Sequence, residues 1–237
     1  MKYLALFFLC CCSSLATFAN GPITGVIATV TDLDVTHNTA KIEVLNSAGK
    51  DITAYALSVT AVYANGKTEW SERMKDYGAN LAERGEVLHP GSTSVEDERW
   101  AVRPGNAFVR LDVKVSAVVY SDQTADAADA EALGRIQSHR SAVASALAKS
   151  RDILERSLAD NSSDHPGAKA SDEVKKIIKS GPADNVYLKS IGDELEAASQ
   201  AAAQLGVSER DYLNQRLTKL QRDAARESRY AQIRRAQ

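Results

Sequence analysis

The sequence predicts an α+β protein in which an antiparallel β-sandwich, residues 20–124, precedes an α-helical region, residues 125–237. Residues 108–120 alternate apolar and polar side chains with the period of two that is typical of a strand with one buried face. Short runs of this kind fill the chain before it, and Ala-rich segments with helical spacing fill the chain after it. We therefore expect this strand to be the last of the sandwich and the root of a helical arm or bundle.

Residues 1–19 have the pattern of a signal peptide. Lys2 precedes an apolar run at residues 3–12 that is too short to span a bilayer, and small residues lead up to the expected cleavage point. The pattern predicts an exported protein, periplasmic or secreted, whose mature chain begins near Asn20. A lipoprotein is the less favoured alternative, because bulky residues precede the cysteines at positions 10–12.

Composition and charge limit the classes of function. All three cysteines lie within the predicted signal peptide, so we expect no disulfide, thiolate metal site or cysteine nucleophile in the mature chain. The formal net charge is −2, and neither half carries the basic excess that is typical of proteins that bind nucleic acid. We expect no nucleic-acid partner and no transmembrane helix in the mature chain.

The first half contains the signals of six or seven short strands. Asn65-Gly66 is a strong hairpin signal, and a return strand is predicted to begin at residues 68–70, followed by a polar connection at residues 71–85. The other strand signals lie at residues 23–30, 40–44, 52–63, 93–100 and 108–120. Strands at this spacing, with no helical period between them, favour an immunoglobulin-like or fibronectin-like sandwich.

The second half predicts four helices. A long amphipathic helix is expected over residues 127–159, a short one after an N-cap at Ser171, and a third from a cap at Asp184 to Leu205-Gly206. Ser208 is the predicted N-cap of the fourth helix. Small residues at 197–198 and 201–203 would permit close helix approach, so a homodimer through the helical region is also predicted.

The fourth helix contains the candidate interaction surface. Its basic side chains lie opposite its leucines at helical spacing. These basic residues are Lys219, Arg222, Arg226 and Arg229. One interpretation is a strip that contacts anionic lipid headgroups or an acidic partner. We favour a solvated outer face, because Asp223 and Glu227 interrupt the strip and no Trp or Phe accompanies it.

Catalytic and metal-binding motifs are not recognised in the sequence. The histidines are scattered, and neither an HExxH motif, a GxSxG motif nor a phosphate-binding glycine loop occurs. The acidic run at residues 96–98 could hold calcium with Asp32 or Asp34, but neighbouring strand residues point to opposite faces, which favours solvated carboxylates. Trp70 and Trp100 could form a ligand platform, although a place in the core is favoured for one or both. We therefore predict no catalytic, cofactor-binding or metal residue and no enzyme activity.

Two segments of the first half resemble uncharacterised exported bacterial proteins in which an immunoglobulin-like sandwich precedes a helical region. Residues 117–124, AVVYSDQT, are similar to the valine-rich last strand and acidic turn of such proteins, with Gln123 where glycine is expected. Residues 44–52, VLNSAGKDI, are similar to a turn between two of their strands. The resemblance implies a fold and an exported location, and it implies no activity or cofactor.

Two functions follow as expectations. The first is an exported, non-catalytic interaction or structural module of the bacterial cell envelope, with an unidentified protein or envelope partner. The alternative is a hydrolase of an envelope polymer, which would need two carboxylates about 5 to 10 Å apart in a cleft between the two halves.

Overall fold

The computed structural model describes residues 23–78, 87–100, 108–160, 164–180 and 186–235. The predicted signal peptide and the predicted cap at Asp184 lie outside these residues. The strands are β1 Val26–Asp34, β2 Thr39–Asn46, β3 Ile52–Tyr63, β4 Thr68–Asp76, β5 Thr93–Arg99, β6 Phe108–Tyr120, β7 Thr124–Ala127 and β8 Arg234–Arg235. The helices are α1 Ala130–Ala159, α2 Pro166–Ser180, α3 Val186–Glu196, α4 Ala198–Leu205 and α5 Glu209–Tyr230.

The strands form two sheets that share one core. The first sheet has the order β1-β2-β5 and the second has the order β4-β3-β6-β7-β8, and all pairs are antiparallel except β7 with β8. Ile42 and Val44 of the first sheet and Leu57 and Val59 of the second are fully buried in a common cluster. The structure confirms the α+β class, with two antiparallel sheets followed by helices.

The hairpin at Asn65-Gly66 is confirmed, but its return strand is longer than predicted. Gly66 has a φ of 78°, and β4 continues through the expected polar connection to Asp76. β4 lies at the edge of its sheet, and side chains such as Arg73 reach across to carboxylates of β5. An edge strand with polar side chains on both faces has no period-two signal, which explains the error.

The boundaries predicted for β6 are correct, but it is not the last strand. After a turn in which Gln123 has a φ of 68°, β7 pairs with residues 117–119 of β6. The backbone of the C-terminal segment returns to this edge as β8. β1 also differs from prediction, since it starts at Val26 and continues to Asp34 through an irregularity between Val30 and Asp32.

The first helix packs on the outer face of the second sheet. Ala54 and Ala56 of β3 form a buried cluster with Leu133 and Ile136 of α1. Small side chains on the sheet let the helix backbone approach closely, so the first turns of α1 cover this half of the face. The helical region is therefore in contact with the sheets.

The remaining helices pack around the second half of α1. Leu147 and Leu154 of α1 share a buried cluster with Leu188 of α3 and Leu213 of α5. The predicted helix end at Gly206 and the predicted N-cap of α5 at Ser208 are confirmed, because Gly206 caps α4 with a φ of 68° and Ser208 Oγ accepts a hydrogen bond from the N–H of Asp211.

Two predictions in this region are wrong. Ser171 is a buried residue inside α2, which begins at Pro166, a residue well suited to the first turn of a helix. The predicted third helix is divided at Ala197 into α3 and α4. Ala198 and Ala202 are buried within the protein's own bundle, so these small residues serve intramolecular packing. The predicted homodimer stays a prediction without this support.

Among the described residues, no helix is both long enough and apolar enough to cross a membrane.

Candidate functional site: an open groove between β1 and β6

The second sheet is incomplete along β6. On one side β6 pairs with β3 over most of its length, whereas on the other side β7 covers only residues 117–119. The C=O of Ser116 accepts hydrogen bonds from the N–H groups of Ala128 and Asp129, where the chain leaves the sheet for α1. Residues 110–115 have no hydrogen-bonded strand partner on this side within the described part of the chain, although β1 lies close to β6, with Cα atoms within 8 Å.

The register shows which backbone groups face this open edge. Tyr63 N–H donates to Lys67 C=O at 2.9 Å, so odd-numbered residues of β3 direct their backbone groups to β4 and even-numbered residues direct theirs to β6. The β6 residues opposite these even positions, such as Lys114 opposite Ser58, direct their groups back to β3. The alternate residues of β6 therefore direct N–H and C=O groups to the open edge. They are Leu111, Val113 and Val115.

The same reasoning applies to β1, the edge strand of the first sheet. Asn46 exchanges backbone hydrogen bonds with Gly91 and Ser92, so the even-numbered residues of β2 face β5 and the odd-numbered residues face β1. Ile27 and Thr29 of β1 pair with these odd positions. The intervening residues of β1 direct their backbone groups outward. They are Val26, Ala28 and Val30.

A groove lies between these two edges. It comprises a cavity of about 730 Å³ and an adjoining one of about 490 Å³. Both cavities are lined by Ala28, Ser58, Val113 and Lys114. The larger one ends against Asp129 at the start of α1.

The groove reaches the side of the sandwich core. Several apolar side chains that pack on the core are only partly buried, and most of them line this groove. They are Ile23, Ala28, Val30, Val113 and Val115. Counting only the described residues, the core is therefore incompletely covered along the line where β1 and β6 present backbone groups without strand partners.

The charged residues that line the groove differ in whether they already have a hydrogen-bond or ion-pair partner. Asp112 accepts a hydrogen bond from Arg110 at 2.9 Å, and Asp129 accepts one from the N–H of Glu131 at 2.8 Å as the N-cap of α1. Lys114 is exposed and has no hydrogen bond or ion pair within the described residues. Among the described residues its ammonium group has no partner, and Lys114 lies where the two cavities meet.

The predicted basic strip on α5 lies on the helical region, away from these groove-lining residues. Lys219 and Arg222 are exposed, and Arg229 is exposed with a long hydrogen bond to its own helix at Ala225 C=O. Arg226 is different, since its guanidinium donates to Glu227 at 2.8 Å. Glu227 and Asp223, which appeared in the sequence to interrupt a solvated strip, are buried.

The acidic run and the two tryptophans have separate roles. Glu96 accepts a hydrogen bond from the Tyr55 hydroxyl and Glu98 accepts one from Arg73, so these carboxylates are committed to β3 and β4. Trp100 is buried in the core, as predicted for one of the pair. Trp70 is 59% exposed and donates its indole N–H to Ser58.

The four histidines predicted to be scattered also remain apart. His89 is exposed beside Asp51, and His139 is hydrogen-bonded to the Tyr187 hydroxyl, where burial lowers the pKa of its ring. Within the described ranges, no group of three or more histidine, cysteine, aspartate or glutamate side chains is placed to hold a metal ion.

A buried polar network joins the sheets to the helices. Arg140 of α1 is fully buried and makes two hydrogen bonds to Asp76 of β4, at 2.8 and 3.0 Å. It also donates to Thr53 Oγ1 and to the C=O of Tyr230. Glu227, likewise fully buried, has a raised pKa because burial disfavours its charged form.

This network bears on the alternative of an envelope-polymer hydrolase. Asp76 and Glu227 are carboxylates at the junction of the two halves, where that hypothesis requires them. Both are buried, and Asp76 is paired with Arg140, so neither is accessible to a polymer. The arrangement provides structural cohesion between the sheets and the helices.

Comparison with known proteins leaves the site to be interpreted from its geometry. No protein-family model, no curated protein and no solved structure matches the chain.

The sequence did not predict the groove, because no single segment contains a pattern that indicates it. Each strand separately has the ordinary alternation of a half-buried strand. The edge of β6 lacks a strand partner there because β7 is short. The sequence of β7, Thr-Ala-Asp-Ala, contains no strand pattern. The one usable signal was Ser121-Asp122-Gln123, a turn too close to the helical segment for a full-length strand to fit between them.

Proposed function

We propose that the protein is an exported, non-catalytic interaction module of the bacterial cell envelope that binds an extended segment of a partner in the groove between β1 and β6. The exported location comes from the N-terminal sequence pattern. Determining the N-terminus of the protein purified from cells tests it, with a start near Asn20 as the expected result.

The observation that carries the binding proposal is the open edge of β6 beside a partly covered core. An unpaired edge is a template for another strand, and the edge of β6 is only partly protected, by the charged side chains of Arg110, Asp112 and Lys114 and by β1, which lies close to β6 without pairing with it. Leu111, Val113 and Val115 of β6 direct their backbone groups to the unpaired edge, next to a groove of about 730 Å³. A segment laid along this edge would have to displace β1, which has Cα atoms within 8 Å of β6, and would then gain backbone hydrogen bonds and cover part of the core.

The mode of binding is strand addition. Main-chain hydrogen bonds provide affinity, and pockets for alternate side chains provide selectivity. In an added strand, every second side chain would face Val113 and Val115 and the others would face outward beside Lys114. The segment that fits is therefore extended, with apolar residues at alternate positions.

An immunoglobulin-like fold is part of the same proposal. The strand orders β1-β2-β5 and β4-β3-β6-β7 agree with those of an immunoglobulin-like sandwich in which the final strand is short. The unpaired length of β6 is then the part that a longer final strand would pair with, which supports its use by a partner segment.

The experiment uses Val113→Pro, because the Val113 N–H faces the open edge. Proline there removes a free donor while leaving the hydrogen bonds between β6 and β3 intact. The matched control is Met74→Pro on β4, whose N–H faces away from β3 at the opposite edge of the sheet. The probe is a peptide of about seven residues that alternates valine and threonine, long enough for the open edge at about 3.3 Å per residue.

Binding is measured by fluorescence anisotropy, with circular dichroism to show that each variant folds. The wild type and Met74→Pro are expected to bind the alternating peptide, and Val113→Pro is expected to lose binding. A scrambled peptide of the same composition should bind none of them. Equal binding by all three proteins, or no binding by the wild type, would refute strand addition at β6.

A further inference from the structure

We infer that the outer face of the second sheet binds a carbohydrate chain of β-linked hexopyranose units, with one sugar ring stacked on Trp70 and the next over Thr60 and Asp112. This inference goes beyond the proposed function and does not rest on strand addition, because it uses side chains of the sheet face and not the backbone edge of β6.

The first helix covers only part of this sheet face. Ala54 and Ala56 of β3 are buried under α1, and the salt bridge between Arg135 of α1 and Glu72 of β4 lies where that cover ends. Beyond it, the outward-facing side chains of three adjacent strands are exposed or half-buried. They are Trp70 of β4, Ser58 and Thr60 of β3, and Asp112 and Lys114 of β6.

Trp70 provides an aromatic surface that faces solvent. Its side chain is 59% exposed, and its indole N–H donates to the Ser58 hydroxyl at 2.8 Å. This hydrogen bond holds the indole toward the neighbouring strand and satisfies its one polar group. The surface that remains exposed is therefore the apolar ring. Because the ring is already held in place, stacking on a ligand costs little additional side-chain entropy.

Polar side chains continue from the indole across the sheet. Trp70 is opposite Thr60 and Thr60 is opposite Asp112, so they form a row about 10 Å long, at about 4.8 Å between strands. The cavity of about 490 Å³ is lined by Thr60, Asp112 and Lys114. Within the described residues, Thr60 and Lys114 have no hydrogen-bond partner. The carboxylate of Asp112 can accept further hydrogen bonds besides the one from Arg110.

These groups together fit a sugar chain. In a β-linked hexopyranose with equatorial substituents, C–H bonds occupy the faces of the ring and hydroxyl groups occupy its rim. The C–H bonds are attracted to the negative face of an indole, while the hydroxyls reach the donors and acceptors beside it. A cavity wall with one ammonium group, one carboxylate and several hydroxyls suits a neutral ligand of this kind.

The same face suits a protein partner less well. Protein interfaces have an apolar core of adjacent side chains. Among the described residues of β4, the next exposed apolar side chain on this face is Met74, and the ion-paired Glu72 separates it from Trp70. The isolated indole among polar side chains therefore favours a sugar ring over an apolar protein surface.

The test is isothermal titration calorimetry with two hexasaccharides of glucose, one β-1,4-linked and one α-1,4-linked. The wild type should bind the extended β-linked chain and not the α-linked chain, whose curvature keeps adjacent rings from lying along one row. Trp70→Leu keeps an apolar side chain without a ring and should weaken binding about tenfold or more, whereas Trp70→Phe should lose less. Thr60→Val should weaken binding about two- to tenfold, as expected for one hydrogen bond. Met74→Ala, at an exposed apolar residue of the same strand and face, should bind like the wild type.

The outcomes separate this inference from strand addition. Circular dichroism shows that each variant folds, and Trp70→Leu should still bind the alternating peptide. No binding of the β-linked hexasaccharide by the wild type, equal binding of the two hexasaccharides, or unchanged binding by Trp70→Leu would overturn the carbohydrate site, whatever the peptide does. If phosphatidylcholine vesicles bind in a manner that depends on Trp70 and the hexasaccharide does not bind, the face contacts lipid and the inference is wrong. If the hexasaccharide binds and the alternating peptide does not, the carbohydrate site stands and strand addition is wrong.

Discussion

The ion pair between Arg140 and Asp76 is predicted to be the main polar connection between the helices and the sheets. Both side chains are almost completely buried, at 0% and 2% exposure, and the two hydrogen bonds between them are 2.8 and 3.0 Å long. The perturbation is Asp76→Ala, which leaves the Arg140 guanidinium buried without a countercharge. Arg140→Met leaves the reverse defect at Asp76.

The expected loss follows from the burial of both partners. Removing one member of a buried ion pair costs about 3–5 kcal/mol, because the remaining charge is desolvated without compensation. The free energy of unfolding of a typical domain is about 5–15 kcal/mol, so either single substitution should remove a large part of it. With an m-value of about 2 kcal/mol per molar urea, the midpoint should fall by about 1.5–2.5 M.

The double variant, Asp76→Ala with Arg140→Met, distinguishes an ion pair from ordinary packing. Its loss should be close to that of one single variant, because neither charge of the pair is left buried alone; the defects left are a small cavity, the unpaired C=O of Tyr230 and the N–H of Gly78, which donates to Asp76 at 3.0 Å in the wild type. The assay is urea unfolding of all four proteins by circular dichroism. Losses below about 1 kcal/mol in the single variants, or additive losses in the double variant, would refute this reasoning.

Three further substitutions test other parts of the structure. Burial raises the pKa of Glu227 above the usual value of 4.5, so the ionised form destabilises the fold. The free energy of unfolding should fall as pH rises from about 4.5 to the raised pKa and then level off. Glu227→Gln should therefore be more stable than the wild type in neutral buffer but not in acidic buffer, as measured by urea midpoints. Ser208→Ala removes the N-cap of α5 and should cost about 1 kcal/mol in the same assay, with Ser228→Ala on the exposed side of α5 as a near-neutral control. Gly167→Ala would place a Cβ 2.7 Å from the C=O of Leu195 and should lower the melting temperature, whereas Gly134→Ala, with open space, should not.

Most of the strands could be predicted because their signal is local. β2, β3, β5 and β6 each combine alternation with a turn residue, and Asn65-Gly66 alone identified the β3–β4 hairpin. The caps at Gly206 and Ser208 were equally local, since they depend on backbone geometry within one turn. Predictions failed where contacts from distant elements define the structure, as in the extension of β4 to Asp76 and the start of α2 at Pro166.

Arg140 shows the difference between what local sequence patterns predict and what contacts between distant elements decide. In the sequence it is a polar residue within the apolar stripe of a long helix, which indicates burial without naming a partner. The partner, Asp76, lies 64 residues earlier on a strand that the sequence did not extend that far. Pairing over such a distance depends on how α1 crosses the second sheet, and no local pattern contains that information.

The sequence by itself determined the α+β class, the alternation that buries one face of each strand, the helical stripes and the turns, because each depends on neighbouring residues and a fixed backbone period. The tertiary structure decided which edges stay open. Whether β6 has a partner beyond residues 117–119 depends on where β7 ends and where α1 leaves the sheet. The candidate site is therefore a property of strand order and register, since an unpaired backbone edge looks the same in the sequence as a paired one.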